Sequence, residues 1–171
     1  MRWDLIETKL QEHIPKEQLA QIISREWNKM KVDDSYPESA FWQEISHLAN
    51  FSEDTVLELQ ASIRDSLKIN FETVAIAQRL KEHKFVVGII SNHAKFWFDP
   101  FMERYSLYDI FENELVMPSC NVKCAKPSSK IYELMYSRLK QKFQNMGETI
   151  APNNVVFIDD KEANVTAANN T

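Results

Sequence analysis

The sequence predicts an α/β protein: a parallel sheet with helical crossovers, preceded by an all-helical segment. Two observations predict it. The spacing of apolar residues changes once, near residue 84, from helical periodicity to an alternation of strand and helix. Two runs, "FVVGIIS" at 85–91 and "NVVFID" at 154–159, are almost wholly apolar, as strands buried on both faces are.

In the first half, apolar residues recur at Trp3, Ile6 and Leu10, at Leu19, Ile22, Ile23, Trp27 and Met30, at Phe41, Ile45 and Leu48, and at Val56, Leu59, Ile63 and Leu67. Each set fits one face of a helix. Pro15 stands where a first-turn proline would, and Pro37 and Ser52 punctuate the next two helices. "NFETVAIAQRLKEH" from Asn70 reads as a fifth helix. Beyond residue 84 the order is the strand 85–91, a helix-like "AKFWFDPFMERY" interrupted at Pro100, and a short strand in "ENELVMPS". A helix with proline in its opening turn follows in "KPSSKIYELMYSRLKQKF", and then the strand 154–159. With only two glycines, Gly88 and Gly147, turns must rely on Pro, Asn, Asp and Ser.

Composition limits the function. A chain of 171 residues holds one core, or one core with a small helical appendage. Its formal charge of -5 and lack of a basic run disfavour nucleic acid as a partner. No apolar run reaches the roughly 18 residues that span a bilayer, and "MRWDLIETKL" lacks the pattern of a signal peptide, so the expected location is the cytoplasm, away from membranes. Cys120 and Cys124 are too few for a disulfide framework and read as reduced thiols.

In open parallel sheets ligands bind beyond the carboxyl ends of the strands. There the sequence places Ser91-Asn92, then Lys126, then Asp159-Asp160. A hydroxyl and an amide can bond an anion, an ammonium can neutralise it, and adjacent carboxylates can offer oxygen to Mg²⁺. The ordered trio describes a phosphoryl site. Each member also has an ordinary reading: Ser91 as a helix cap, Lys126 as a solvated lysine, Asp159-Asp160 as a cap of the last helix.

"GIISNH", "KCAKPSSKIYE" and "VVFIDDKEANVTAA" resemble the second, third and fourth motifs of the haloacid dehalogenase (HAD) superfamily, over roughly residues 71–171. The resemblance implies a HAD-like Rossmannoid parallel sheet over 71–171, with residues 1–70 as its α-helical cap. "SAFWQEIS" looks like the caps of small sugar-phosphate phosphatases and of the phosphatase domain of soluble epoxide hydrolases. By resemblance, Ser91 and Lys126 are catalytic and bind the transferring phosphoryl group with Asn92 in support, Asp159 and Asp160 hold Mg²⁺, and the substrate is a small phosphorylated metabolite.

One motif of that family is missing. Its first motif is an apolar strand ending in Asp-x-Asp, the first aspartate being the nucleophile. Here Asp4 follows only "MRW", Asp33-Asp34 follow a polar turn, and Asp99 lies in a helical segment, so no nucleophile is assigned. The family's strand order, 5-4-1-2-3, makes the missing strand the central one, and the last strand is absent too. The sheet is therefore expected to be incomplete, to keep a gap, to close up, or to borrow a strand from a second copy. Mg²⁺ is expected to bind weakly or not at all, and phosphatase turnover by this chain alone to be negligible. Two descriptions fit: a fragment or splice product of an active phosphatase, and a non-catalytic HAD-fold interaction protein. A phospho-receiver domain shares the residue types, but its acid pair lies on the first strand rather than the last. Trp27, Phe41 and Trp42 either line a substrate pocket or form the core of the helical segment.

Overall fold

The computed structural model describes residues 7–8, 10–11 and 13–171. Trp3, Ile6 and Asp4 lie outside the described residues. The first half is helical, as its spacing predicts: α1 (Lys16–Met30), α2 (Glu38–Ala49), α3 (Glu53–Ser66) and α4 (Phe71–Glu82). Pro15 and Pro37 are the residues just before α1 and α2, where a fixed φ and no N–H cost nothing. Ser52 and Asn70 cap α3 and α4 with side-chain oxygens that accept the N–H groups of Thr55 and Thr73. Chain reversals use Asn50, Lys84, Ser106 and Lys123 at positive φ, with Gly147, so side-chain-bearing residues take left-handed positions where glycine is scarce.

Helices α1 to α3 bury Leu19, Ile22, Ile23, Met30, Phe41, Trp42, Ile45 and Ile63 against one another. Two residues from far along the chain, Ala94 and Trp97, complete that cluster. Trp97 stands edge-on to Phe41, ring centroids 5.8 Å apart, so the helical segment and the second half share a core.

The second half runs β1 (Ile89–Ser91), α5 (Lys95–Arg104), β2 (Val116–Pro118), the short α6 (Ser119–Val122), α7 (Ser129–Asn145) and α8 (Glu162–Asn169). Strands β1 and β2 pair in parallel, Ile89 opposite Val116 and Ser91 opposite Pro118. Their alternation separates two clusters: Val116 and Ile89 pack toward Phe98, Met102 and Leu107, while Leu115, Met117 and Ile90 pack toward Ile131, Tyr132 and Met135 of α7. Gly88 permits the close approach, since a Cβ there would lie 2.9 Å from the Leu115 carbonyl oxygen. The result is a mostly helical protein around a small, open parallel sheet.

Four expectations need correction. The strand expected over 85–91 is regular only from Ile89, because β2 offers just three residues to pair with. Residues 154–159 are not a strand: 152–154 form a 3₁₀ turn and 155–159 carry no ladder. They are not buried on both faces either, for Val156 and Ile158 are 81% and 83% exposed, and Phe85, which opens the other apolar run, is 62% exposed. A ladder needs a neighbour, and among the described residues β1 has one only on its β2 side; the sheet keeps a gap rather than closing up. Pro100 does not interrupt its helix, which runs through it and gives up only the bond to the Phe96 carbonyl. Pro127 precedes the N-cap Ser128 of α7 rather than standing in its first turn.

Candidate functional site

Lys126 organises the carboxyl edge of the sheet. It lies between α6 and α7, and its side chain is only 11% exposed, so the reading of a solvated lysine fails. Its Nζ donates to the Ile90 carbonyl at 2.9 Å and to Asp159 Oδ2 at 2.6 Å, and stands 5.5 Å from the Phe157 ring centroid. The ammonium thus bridges the end of β1 and the end of the unpaired 155–159 segment.

Asn92 holds the lysine in place. Its Oδ1 accepts the Lys126 N–H and its Nδ2 donates to the Lys126 carbonyl, both at 2.8 Å, so both ends of the amide face the Lys126 backbone. Ser91, half-buried, closes β1 beside it and is not the cap of α5, whose N-cap is Ala94.

Asp159, its side chain 6% exposed, is held on both oxygens. Oδ1 accepts the Lys161 N–H at 2.9 Å and Asn164 Nδ2 at 2.7 Å, while Oδ2 faces Lys126. Burial alone would raise this carboxyl; Lys126, Asn164 and the Lys161 N–H together hold it below its ordinary range. Asp160 is exposed. Sequence reasoning missed Asn164 and Tyr132, whose hydroxyl donates to the Asn164 carbonyl at 2.9 Å. An asparagine inside the first turn of the helix after an acid pair was the available signal.

The donor set fits Mg²⁺ only in part. Two hard-oxygen side chains are adjacent, but one is already neutralised by an ammonium, and among the described residues no three His, Cys, Asp or Glu side chains converge. Cys120 and Cys124 are free and buried; burial pushes the Cys120 thiol up to about 11 and raises Cys124 as well, so neither is a ready nucleophile. Phe41 and Trp42 are core residues of the helical segment, whereas Trp27 reaches the site loop, its ring 6.4 Å from that of His93.

Three groups here and in α1 set an acid dependence. Burial draws His93 down to about 4 from 6.5, against a bond to the Ala94 carbonyl that opposes it. Burial would raise Glu26, but the Tyr36 hydroxyl, Arg25 and Lys29 bring it from 4.5 to about 2. Each folded value lies below its unfolded one, so the unfolded chain binds more protons and stability is lost as the pH is lowered. The urea midpoint is expected to hold above pH 7, to decline from 6.5 toward 4 through His93, and to drop further below 4.5 as Glu26 and Asp159 protonate. Midpoints that rise between pH 7 and 5 would contradict this.

The architecture defines a class: a parallel α/β unit with a polar site at the carboxyl edge of its sheet and a cap of helices. Residues 6–170 match the family model of the haloacid dehalogenase-like hydrolases. The chain belongs to that family. It is 29% identical to bifunctional epoxide hydrolase 2 of Mus musculus over 161 residues, which is 90% of this chain and 26% of that protein. It is 33% identical to bifunctional epoxide hydrolase 2 of Sus scrofa over 98 residues, 54% of this chain and 16% of that protein. The chain therefore spans about a quarter or less of the length of these relatives. The crystal structure of a HAD family enzyme from Bacteroides thetaiotaomicron shares the fold, with a TM-score of 0.67 at 20% identity over 91% of this chain and 74% of that one. Among the described residues, no helix is long and apolar enough to cross a membrane.

Proposed function

We propose that this chain carries the anion-binding and cation-binding part of a Mg²⁺-dependent phosphohydrolase for a small phosphorylated metabolite, and that alone it turns over no substrate. The bridge from Ile90 through Lys126 to Asp159 is the observation that supports this best: a nearly buried ammonium and a carboxylate, adjacent to Ser91, at the edge where such sheets bind ligands. Ser91 would donate to the phosphoryl oxygens, Lys126 would offset their charge, and Asp159 and Asp160 would hold Mg²⁺ weakly. When bound, Mg²⁺ would neutralise phosphoryl charge.

Inactivity follows from the company that Lys126 keeps. Among the described residues only Asp159 pairs with it; Asp33 and Asp34 lie in a turn and Asp99 lies within α5. Losing the covalent nucleophile in another hydrolase class costs on the order of 10⁶-fold in turnover. The purified chain with p-nitrophenyl phosphate and Mg²⁺ is expected to match the buffer rate. Turnover that Asp160→Asn abolishes would defeat the proposal.

A second reading, a non-catalytic interaction protein, is favoured by the gap. Its rims expose Phe85, Val156 and Ile158 beside backbone without ladder partners, the requirements for accepting a strand from a second copy. Sedimentation that stays monomeric at every concentration would count against it.

A further inference from the structure

The helical segment and the site edge meet at one hydroxyl. Ser119, fully buried at the start of α6, donates to the Lys31 carbonyl at the end of α1 (2.5 Å) and accepts the His93 N–H (3.1 Å). A serine hydroxyl has a single proton. With it committed to Lys31, the lone pairs serve His93, so one oxygen satisfies a carbonyl of the helical segment and an amide of the loop that follows Ser91-Asn92.

Nearby contacts converge on the same junction. Trp27 of α1 stands edge-on to His93, which leans on Phe98 with ring centroids 5.7 Å apart. Burial first, and then the positive charge of Lys161, the residue after the acid pair, lower the Lys31 ammonium from its ordinary value. From His93 the connections run through Asn92 to Lys126 and on to Asp159, each a hydrogen bond or the next residue in the chain.

We propose that Ser119 is a positioning residue, a latch through which the seating of α1 fixes the Ser91–His93 loop and with it the anion-binding edge. With the latch closed, one buried hydroxyl satisfies a carbonyl and an amide at once; opened, both lose their partner together. The link is reciprocal, so an anion at the edge also tightens α1. The meaning of the latch for anion binding rests on the phosphoryl site proposed above; its existence does not.

The experiment separates the two. Hydrogen exchange is followed on the full chain in segments 27–33 and 88–98 for the native sequence, Ser119→Ala, Ser119→Thr and Tyr36→Phe, and inorganic phosphate affinity is measured alongside. Losing a buried hydrogen bond of ordinary strength corresponds to roughly 5- to 10-fold. Ser119→Ala is expected to speed exchange in both segments by about that factor and to weaken phosphate binding similarly, and Ser119→Thr, which keeps the hydroxyl, to restore both. Tyr36→Phe loosens α1 at Glu26 without touching the latch, and should leave segment 88–98 unchanged. Faster exchange in one segment only, or in neither, overturns the latch. Should Ser119→Ala fail to fold, Trp27→Leu gives the same reading from the α1 side: exchange in 88–98 that stays at the native rate overturns the proposal. If the native chain binds no phosphate, the phosphoryl reading fails while the paired exchange still decides the latch.

Discussion

Replacing Lys126 with methionine is expected to destabilise the chain by about 3 kcal/mol and to abolish binding of inorganic phosphate. Removing one partner of a buried ion pair leaves the other charge without compensation, which costs roughly 3–5 kcal/mol; the lower end applies because Lys161 N–H and Asn164 continue to bond Asp159. The Ile90 carbonyl also loses a donor. Asp159→Asn should cost less, since Asn164 and the Lys161 amide can bond a neutral amide oxygen. The pair of substitutions together should be milder than the sum, because the stranded charge is gone. Urea unfolding of the four proteins measures this. Strict additivity would mean that Lys126 and Asp159 are neighbours without being partners.

The largest loss of stability is expected from Trp97→Ala, on the order of 3–5 kcal/mol as for buried tryptophans generally. Its position makes the result more informative than its size. Trp97 belongs by sequence to α5, yet it packs against Phe41 in the cluster of α1 to α3, while its neighbour Phe98 faces the sheet-side cluster. One turn of helix therefore pins two cores. The native chain should unfold in one transition, seen alike by tryptophan fluorescence and far-ultraviolet circular dichroism. Trp97→Ala should separate the two signals, the helical segment melting first. A shift of a single undivided transition would show that the cores are held together elsewhere.

The helices were legible because their signals are local. Ser52 and Asn70 announce α3 and α4 by caps, and the spacing of Leu19, Ile22, Ile23 and Met30 gives the buried face of α1 without reference to the rest of the chain. Strand 154–159 misled because an apolar run states a preference for burial, and burial depends on a neighbour the run does not contain. Lys126 and Asp159 could be placed at one edge from their order, but their partners could not. Ile90 contributes a carbonyl, which leaves no trace in residue type. Ser119, in "MPSC", looks like any turn serine, and only the fold brings Lys31 beside it.

The open rim of the sheet carries a consequence for the chain in solution. Apolar side chains beside unpaired extended backbone are what a cross-β aggregate recruits, and Val156, Ile158 and Phe85 present them with charges only at their flanks, Lys84 before Phe85 and Asp159-Asp160 after Ile158. What keeps molecules apart is then their shared negative charge, formally -5, a repulsion that salt screens and mild acid removes. Colloidal behaviour thus becomes a report on the architecture: anything that fills the gap should protect the chain from salting-out and from precipitation in mild acid, long before any change in its melting temperature is seen.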